Sequence, residues 1–126
     1  TDLGRPINGA VVRSFGTFVH EDTGARLRRN GIEFEAAGPT TARAPAAGTV
    51  RYAGPIRGLD HGVIIDHGSY DTVIAKLSAP LVRAGDTVAA NAELGRTARA
   101  RVYLELRVRL SPEGTPIDPI PYLRAR

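Results

Sequence analysis

Residues 101–110 read RVYLELRVRL, and the alternation in them has no break. Val102, Leu104, Leu106, Val108 and Leu110 form one set; Arg101, Tyr103, Glu105, Arg107 and Arg109 form the other. A period of two belongs to a β-strand with one face against a core. On a helix the same residues would scatter around the axis. The chain must therefore build a sheet whose second face carries large polar side chains. Cross-strand Arg–Glu pairing on a solvated face accounts for such a pattern; so does a binding surface.

The rest of the chain favours the same class. Fourteen Gly and nine Pro separate short alternating segments, which points to an all-β fold with many turns and few or no helices. The expected strands are Ala10–Phe15, Ile32–Glu35, Gly48–Ala53, Gly62–Asp66, Thr72–Leu77, Thr87–Ala89 and Arg101–Leu110. The polar stretch His20–Asn30 reads as an exposed loop with at most a short turn over Arg26–Asn30. The close, PIDPIPYL (Pro116–Leu123), reads as an extended segment anchored by Ile120, Tyr122 and Leu123. The 126 residues suit one domain, 1–126.

Composition removes several classes of function. There is no cysteine, so disulfides, thiolate metal sites and a Cys nucleophile are excluded. No run approaches the roughly 20 apolar residues of a membrane helix. No secretion signal is recognisable, and the sequence is read as a mature form or an excised domain. The net charge of +4 is carried almost wholly by arginine, Lys76 being the only lysine. No Lys/Arg block, aromatic RNA-binding motif or zinc-finger spacing occurs, so nucleic acid is not an expected partner. Acidic proteins or an anionic polymer such as peptidoglycan suit the charge equally well.

Motifs of catalysis are scarce. His20, His61 and His67 are the only histidines, and none forms a His-x-His or His-x-x-x-His pair. His67, in IIDHG (Ile64–Gly68), is read as capping a turn through hydrogen bonds. There is no G-x-S-x-G elbow, P-loop or G-x-G-x-x-G. A carrier-domain reading would need its lysine at a hairpin tip, whereas Lys76 falls inside an expected strand.

Seven segments occur in one order: PINGAVVRSFG (Pro6–Gly16), RRNGIEFEA (Arg28–Ala36), ARAPAAGTVRYAGPIRG (Ala42–Gly58), VIIDHG (Val63–Gly68), LVRAGDTVAANAELG (Leu81–Gly95), VYLELR (Val102–Arg107) and DPIPYL (Asp118–Leu123). Together they resemble the LytM domain of the lysostaphin-type zinc endopeptidases, which cut peptidoglycan cross-links. The resemblance implies an antiparallel β-sheet domain with a central groove. In active members a His-x-Gly-x-Asp supplies two zinc ligands, a later lone His follows, and a His-x-His opens a strand. Here Arg29 and Glu33 stand in the first motif, Lys76 replaces the lone His, and Arg101 and Tyr103 replace the His-x-His. Every expected histidine is absent, and cations take three of the places.

That substitution pattern resembles the degenerate LytM domains of the EnvC-type murein hydrolase activators. The resemblance implies a pseudo-peptidase with neither metal nor cofactor. It also implies a periplasmic N-acetylmuramoyl-L-alanine amidase as partner during cell division, with the amidase's autoinhibitory helix taken into the empty groove. Further implied partners are peptidoglycan and an ABC-transporter-like division complex, the latter recruited through a coiled coil that has no heptad counterpart in this sequence. The groove is expected to use Arg29, Glu33, Leu59, Lys76, Arg101, Tyr103 and Arg107. Leu59 lies in RGLDHG (Arg57–Gly62), where the activators commonly carry an aromatic. A passive peptidoglycan-binding module and a residual zinc endopeptidase are the alternative functions.

Overall fold

A computed structural model describes residues 2–125. Its strands, in chain order, are β1 (Ala10–Arg13), β2 (Gly16–Val19), β3 (Arg26–Arg29), β4 (Ile32–Glu35), β5 (Thr41–Arg43), β6 (Gly48–Pro55), β7 (His61–Asp66), β8 (Tyr70–Pro80), β9 (Thr87–Val88), β10 (Glu93–Thr97), β11 (Arg101–Val108) and β12 (Thr115–Ile117). A single 3-10 turn covers Ile120–Tyr122. The fold is all-β, and its strand pairings are antiparallel, as the Gly/Pro punctuation requires.

The main sheet runs β1-β4-β11-β8-β7-β6-β9. β11 is its central organiser. Along one edge it pairs β4 through Arg101–Leu104 and then β12 through Leu106–Val108. Along the other it pairs β8 from Tyr103 to Val108. β10 bridges β5 and β8, while β2 and β3 form a separate two-stranded hairpin.

Alternation sorts the side chains as expected. Ile32, Phe34, Val102, Leu104, Leu106 and Ile74 are buried on the core side. Residues directly opposite in an antiparallel pair share a face. Tyr103 lies opposite Glu33 and Ala75, and Arg101 lies opposite Glu35. The polar set of β11 therefore shares one face with the carboxylates of β4. That face is the floor of the candidate site.

Four features differ from the sequence reading. β3 occupies Arg26–Arg29, where a loop was expected, because it pairs β2 in register from Gly16↔Arg29 to Val19↔Arg26. Single-strand periodicity does not reveal a hairpin whose two faces are both half-wet. β11 ends at Val108 although the alternation runs to Leu110; Leu110 is 80% exposed where the chain turns toward β12. The proline-rich close is not simply extended, since it forms β12 and then the 3-10 turn. Of its expected anchors, Leu123 packs on the core and bridges Leu3, whereas Ile120 and Tyr122 are exposed. β2, β5 and β10 lie outside the expected strands, being short and carrying Gly or charged residues.

Candidate functional site

Glu33 is the electrostatic centre of the polar face. It is only 6% exposed, yet it is ionised and surrounded by cations. Lys76 Nζ lies 3.0 Å from Glu33 Oε2, Arg101 Nη1 lies 3.3 Å from Oε1, and Arg13 Nη1 lies 3.9 Å from Oε2. Burial pushes the Glu33 carboxyl up, but the hydrogen bonds and charges of Lys76, Arg101 and Arg13 outweigh it and hold the carboxyl below its ordinary value. Arg101 also reaches Glu35 Oε2 at 3.1 Å.

The backbone aims these groups. Lys76 sits within β8 at φ 68°, in the left-handed region that costs a non-glycine residue roughly 1–2 kcal/mol. Its N–H donates to Leu59 O at 2.8 Å, and its C=O accepts from Ala98 N at 2.9 Å. The bulge lets β8 leave β7 and take up β10, and it turns Lys76 toward Glu33. Arg13 arrives through a register shift in the β1–β4 pairing that sets it opposite Glu33. No sequence period signals that shift, so Arg13 was missed.

A second network lies further along β11. Tyr103 Oη donates to Glu105 Oε1 at 2.5 Å, and Arg107 Nη1 donates to the other carboxylate oxygen of Glu105. Arg107 also donates to the carbonyls of Glu113 at 3.3 Å and Gly114 at 3.1 Å, which fastens the turn between β11 and β12. Burial and the Glu105 carboxylate push the Tyr103 phenol well above its usual range, so it remains a hydrogen-bond donor. Gly31 lies beneath the Tyr103 ring: a Cβ there would stand 2.6 Å from Tyr103 Cζ and 2.5 Å from the Leu104 carbonyl oxygen.

The expected site residues fall into adjoining depressions. Arg29, Glu33, Leu59 and Tyr103 line a cleft of about 250 Å³, bordered by the hairpin residues Arg28 and Asn30. Lys76 and Arg101 line a second, of about 260 Å³. Arg107 faces a third, of about 340 Å³, beyond Glu105. Arg29 does not join the cations at Glu33; its guanidinium stacks 3.7 Å from the centre of the Phe18 ring. Arg28 sits 5.3 Å from the Phe15 ring and bonds Asn30. Among the described residues, neither Arg28 nor Arg29 has a carboxylate partner. The floor is thus internally compensated, and uncompensated positive charge stands on the hairpin rim.

His67 caps a turn, with Nδ1 2.8 Å from Ala47 O and Nε2 2.7 Å from Thr72 Oγ1, and it stacks on Tyr70. Among the described residues no group of three or more His, Asp or Glu side chains is placed to hold a metal ion. At the positions of the family's ligands a zinc ion would find one carboxylate, Glu33, already held by ammonium and guanidinium groups. At about 4 Å each such cation repels a positive charge by several kcal/mol at an effective dielectric near 20. The donor set does not fit zinc. Protein incubated with zinc and then desalted is expected to retain far less than one equivalent by elemental analysis; stoichiometric retention would contradict this.

Comparison with known proteins agrees with this architecture. An uncharacterized protein of Haemophilus influenzae is 28% identical over 94% of this chain, which spans only 29% of that relative's length. Csd3 of Helicobacter pylori superposes with a TM-score of 0.82 at 20% identity, covering 99% of this chain and 35% of its own. A zinc-containing peptidase from Vibrio cholerae gives a TM-score of 0.82 at 20% identity, covering 100% of this chain and 40% of its own. At such identities the structural likeness carries the fold. Residues 28–119, from the hairpin rim through β12, match peptidase family M23. The chain belongs to peptidase family M23.

Proposed function

We propose that this M23 domain has no peptidase activity and acts by binding protein: it activates a periplasmic N-acetylmuramoyl-L-alanine amidase during cell division by taking the amidase's autoinhibitory helix into the polar groove. One observation carries the reading. The family's ligand positions, taken over from the LytM resemblance, hold a compensated Lys76–Glu33–Arg101 cluster and a Tyr103 bonded to Glu105. Such a floor is pre-organised, so few side chains need to be ordered when a partner binds.

The charge distribution gives the partner a polarity. Floor cations are matched by Glu33, Glu35 and Glu105, whereas Arg28 and Arg29 are free to meet carboxylates. Leu59 and the Tyr103 ring offer apolar contact in the same cleft. An amphipathic helix with acidic residues toward the hairpin suits both, in the helix-in-groove manner. Capture shifts the amidase toward its open state, by no more than the domain's differential affinity for that state. Recruitment to the division complex would be the task of a segment outside these residues.

Dye-labelled sacculi incubated with the cognate amidase should release label faster when this domain is added. The double reversal Arg28→Glu/Arg29→Glu should weaken the effect roughly tenfold or more, equivalent to about 1.4 kcal/mol, with thermal unfolding unchanged. Equal release with and without the wild-type domain would refute the activator reading.

A further inference from the structure

Among the described residues a concavity larger than any depression of the polar groove lies elsewhere. A groove of about 760 Å³ opens where the segment Gly4–Asn8 runs past β5 and the Ala90–Asn91 turn. It lies on the other side of the sheet from Tyr103. Arg5 marks the side: its guanidinium carbon sits 5.9 Å from the ring of Phe34, a core-facing neighbour of groove-facing Glu33 on β4.

We propose that this second groove is an oxyanion site that takes a short carboxylate-bearing peptide. Three arginines line it, Arg5, Arg43 and Arg124, and no carboxylate side chain does so among the described residues. Arg5 Nε is buried and has no acceptor among those residues. A buried donor without a partner is disfavoured, the more so when charged, and calls for an explanation. Arg43 and Arg124 are only loosely engaged, by Glu93 at 4.0 Å and Asp2 at 3.7 Å, in exposed pairs of little strength. Arg43 Nη1 also donates to Asn91 O at 3.3 Å, which orients its guanidinium at the groove.

The walls are preformed. Gly4 N donates to Pro45 O, Arg43 N to Pro6 O, and Asn91 N to Ala44 O, each at 2.8 Å. Ile7, Pro6, Pro45 and Ala44 give the groove apolar surface beside its cations. A guanidinium fork matches a carboxylate bidentately. The volume exceeds what a lone small anion fills and falls within the range of sites for small organic ligands. Because the two faces are opposite, this site and the Tyr103 groove could be filled at once.

Amide chemical shifts test the assignment. Three probes are titrated into the labelled domain: a disaccharide–tetrapeptide muropeptide, the same muropeptide with its carboxylates amidated, and inorganic phosphate. Saturable shifts at Gly4, Asn8 and Asn91 with the free-acid muropeptide are expected. Arg5→Gln should weaken them at least tenfold, and Tyr103→Ala should leave them unchanged. Arg43→Gln, at a more exposed position, is the second variant if Arg5→Gln does not fold. Saturable shifts with phosphate alone would keep the oxyanion site and assign it to small anions. No saturable shift with any probe, equal binding of the amidated form, or unaltered affinity in the arginine variants would overturn the proposal.

Discussion

Glu33→Ala is expected to destabilise the protein by about 3 kcal/mol, measured by urea unfolding at neutral pH. The side chain is buried, and its removal leaves Lys76, Arg101 and Arg13 converging on an empty position. Breaking a buried ion pair from one side costs about 3–5 kcal/mol. The lower end applies because the three cations are 26%, 35% and 49% exposed and can turn to water. Adding Lys76→Ala should recover part of the loss, since it removes one stranded charge; the strain at φ 68° stays, because alanine keeps its Cβ. A fully additive double variant would mean that the two residues are not coupled. The pH dependence has a definite sign. The folded-state carboxyl lies below its ordinary value of 4.5, so its contribution is complete above that pH and is lost as pH falls through the folded value. His67 is lowered from 6.5, chiefly by burial, and its contribution likewise fades as pH falls below 6.5. Acid unfolding of the wild type should therefore begin with His67 and steepen with Glu33. Glu33→Ala should lose the second window and keep the first.

Gly31→Ala should be nearly as damaging, at about 1–3 kcal/mol, and should abolish groove binding as well. The added methyl would meet the Leu104 carbonyl at 2.5 Å and the Tyr103 ring at 2.6–2.8 Å. The carbonyl belongs to the β4–β11 ladder and cannot retreat without opening it. The ring can move only by leaving Glu105, which would then keep Arg107 as its sole side-chain partner among the described residues. Gly38→Ala is the matched control, because a methyl there meets nothing within 4 Å. Its unfolding midpoint and its amidase stimulation should equal those of the wild type. If Gly31→Ala unfolded like the control, the close approach beneath Tyr103 would not be a property of the protein in solution.

Arg29 and Glu33 illustrate how far a sequence reaches. Their spacing around Gly31 marks the degenerate metal motif, and both line the same cleft. Their charges nevertheless go separate ways, since Arg29 ends the hairpin and lies on Phe18 while Arg13 takes a place at Glu33. Arg107 shares the β11 face as the alternation demands, yet three of its donors are already used, two by the turn that follows and one by Glu105. The lysine expected inside a strand is there, but in a conformation that no propensity would assign to it.

The sequence by itself determined the class of fold, the central strand, which of its side chains look outward, and the loss of the histidines. These follow from a period of two and from residue identity, both of which are local. Only the tertiary structure decided which cation meets which carboxylate, that the hairpin rim keeps its charge uncompensated, and that an arginine groove opens on the opposite face. Those outcomes depend on register shifts and bulges between strands distant in the chain, where one residue of slip exchanges the two faces.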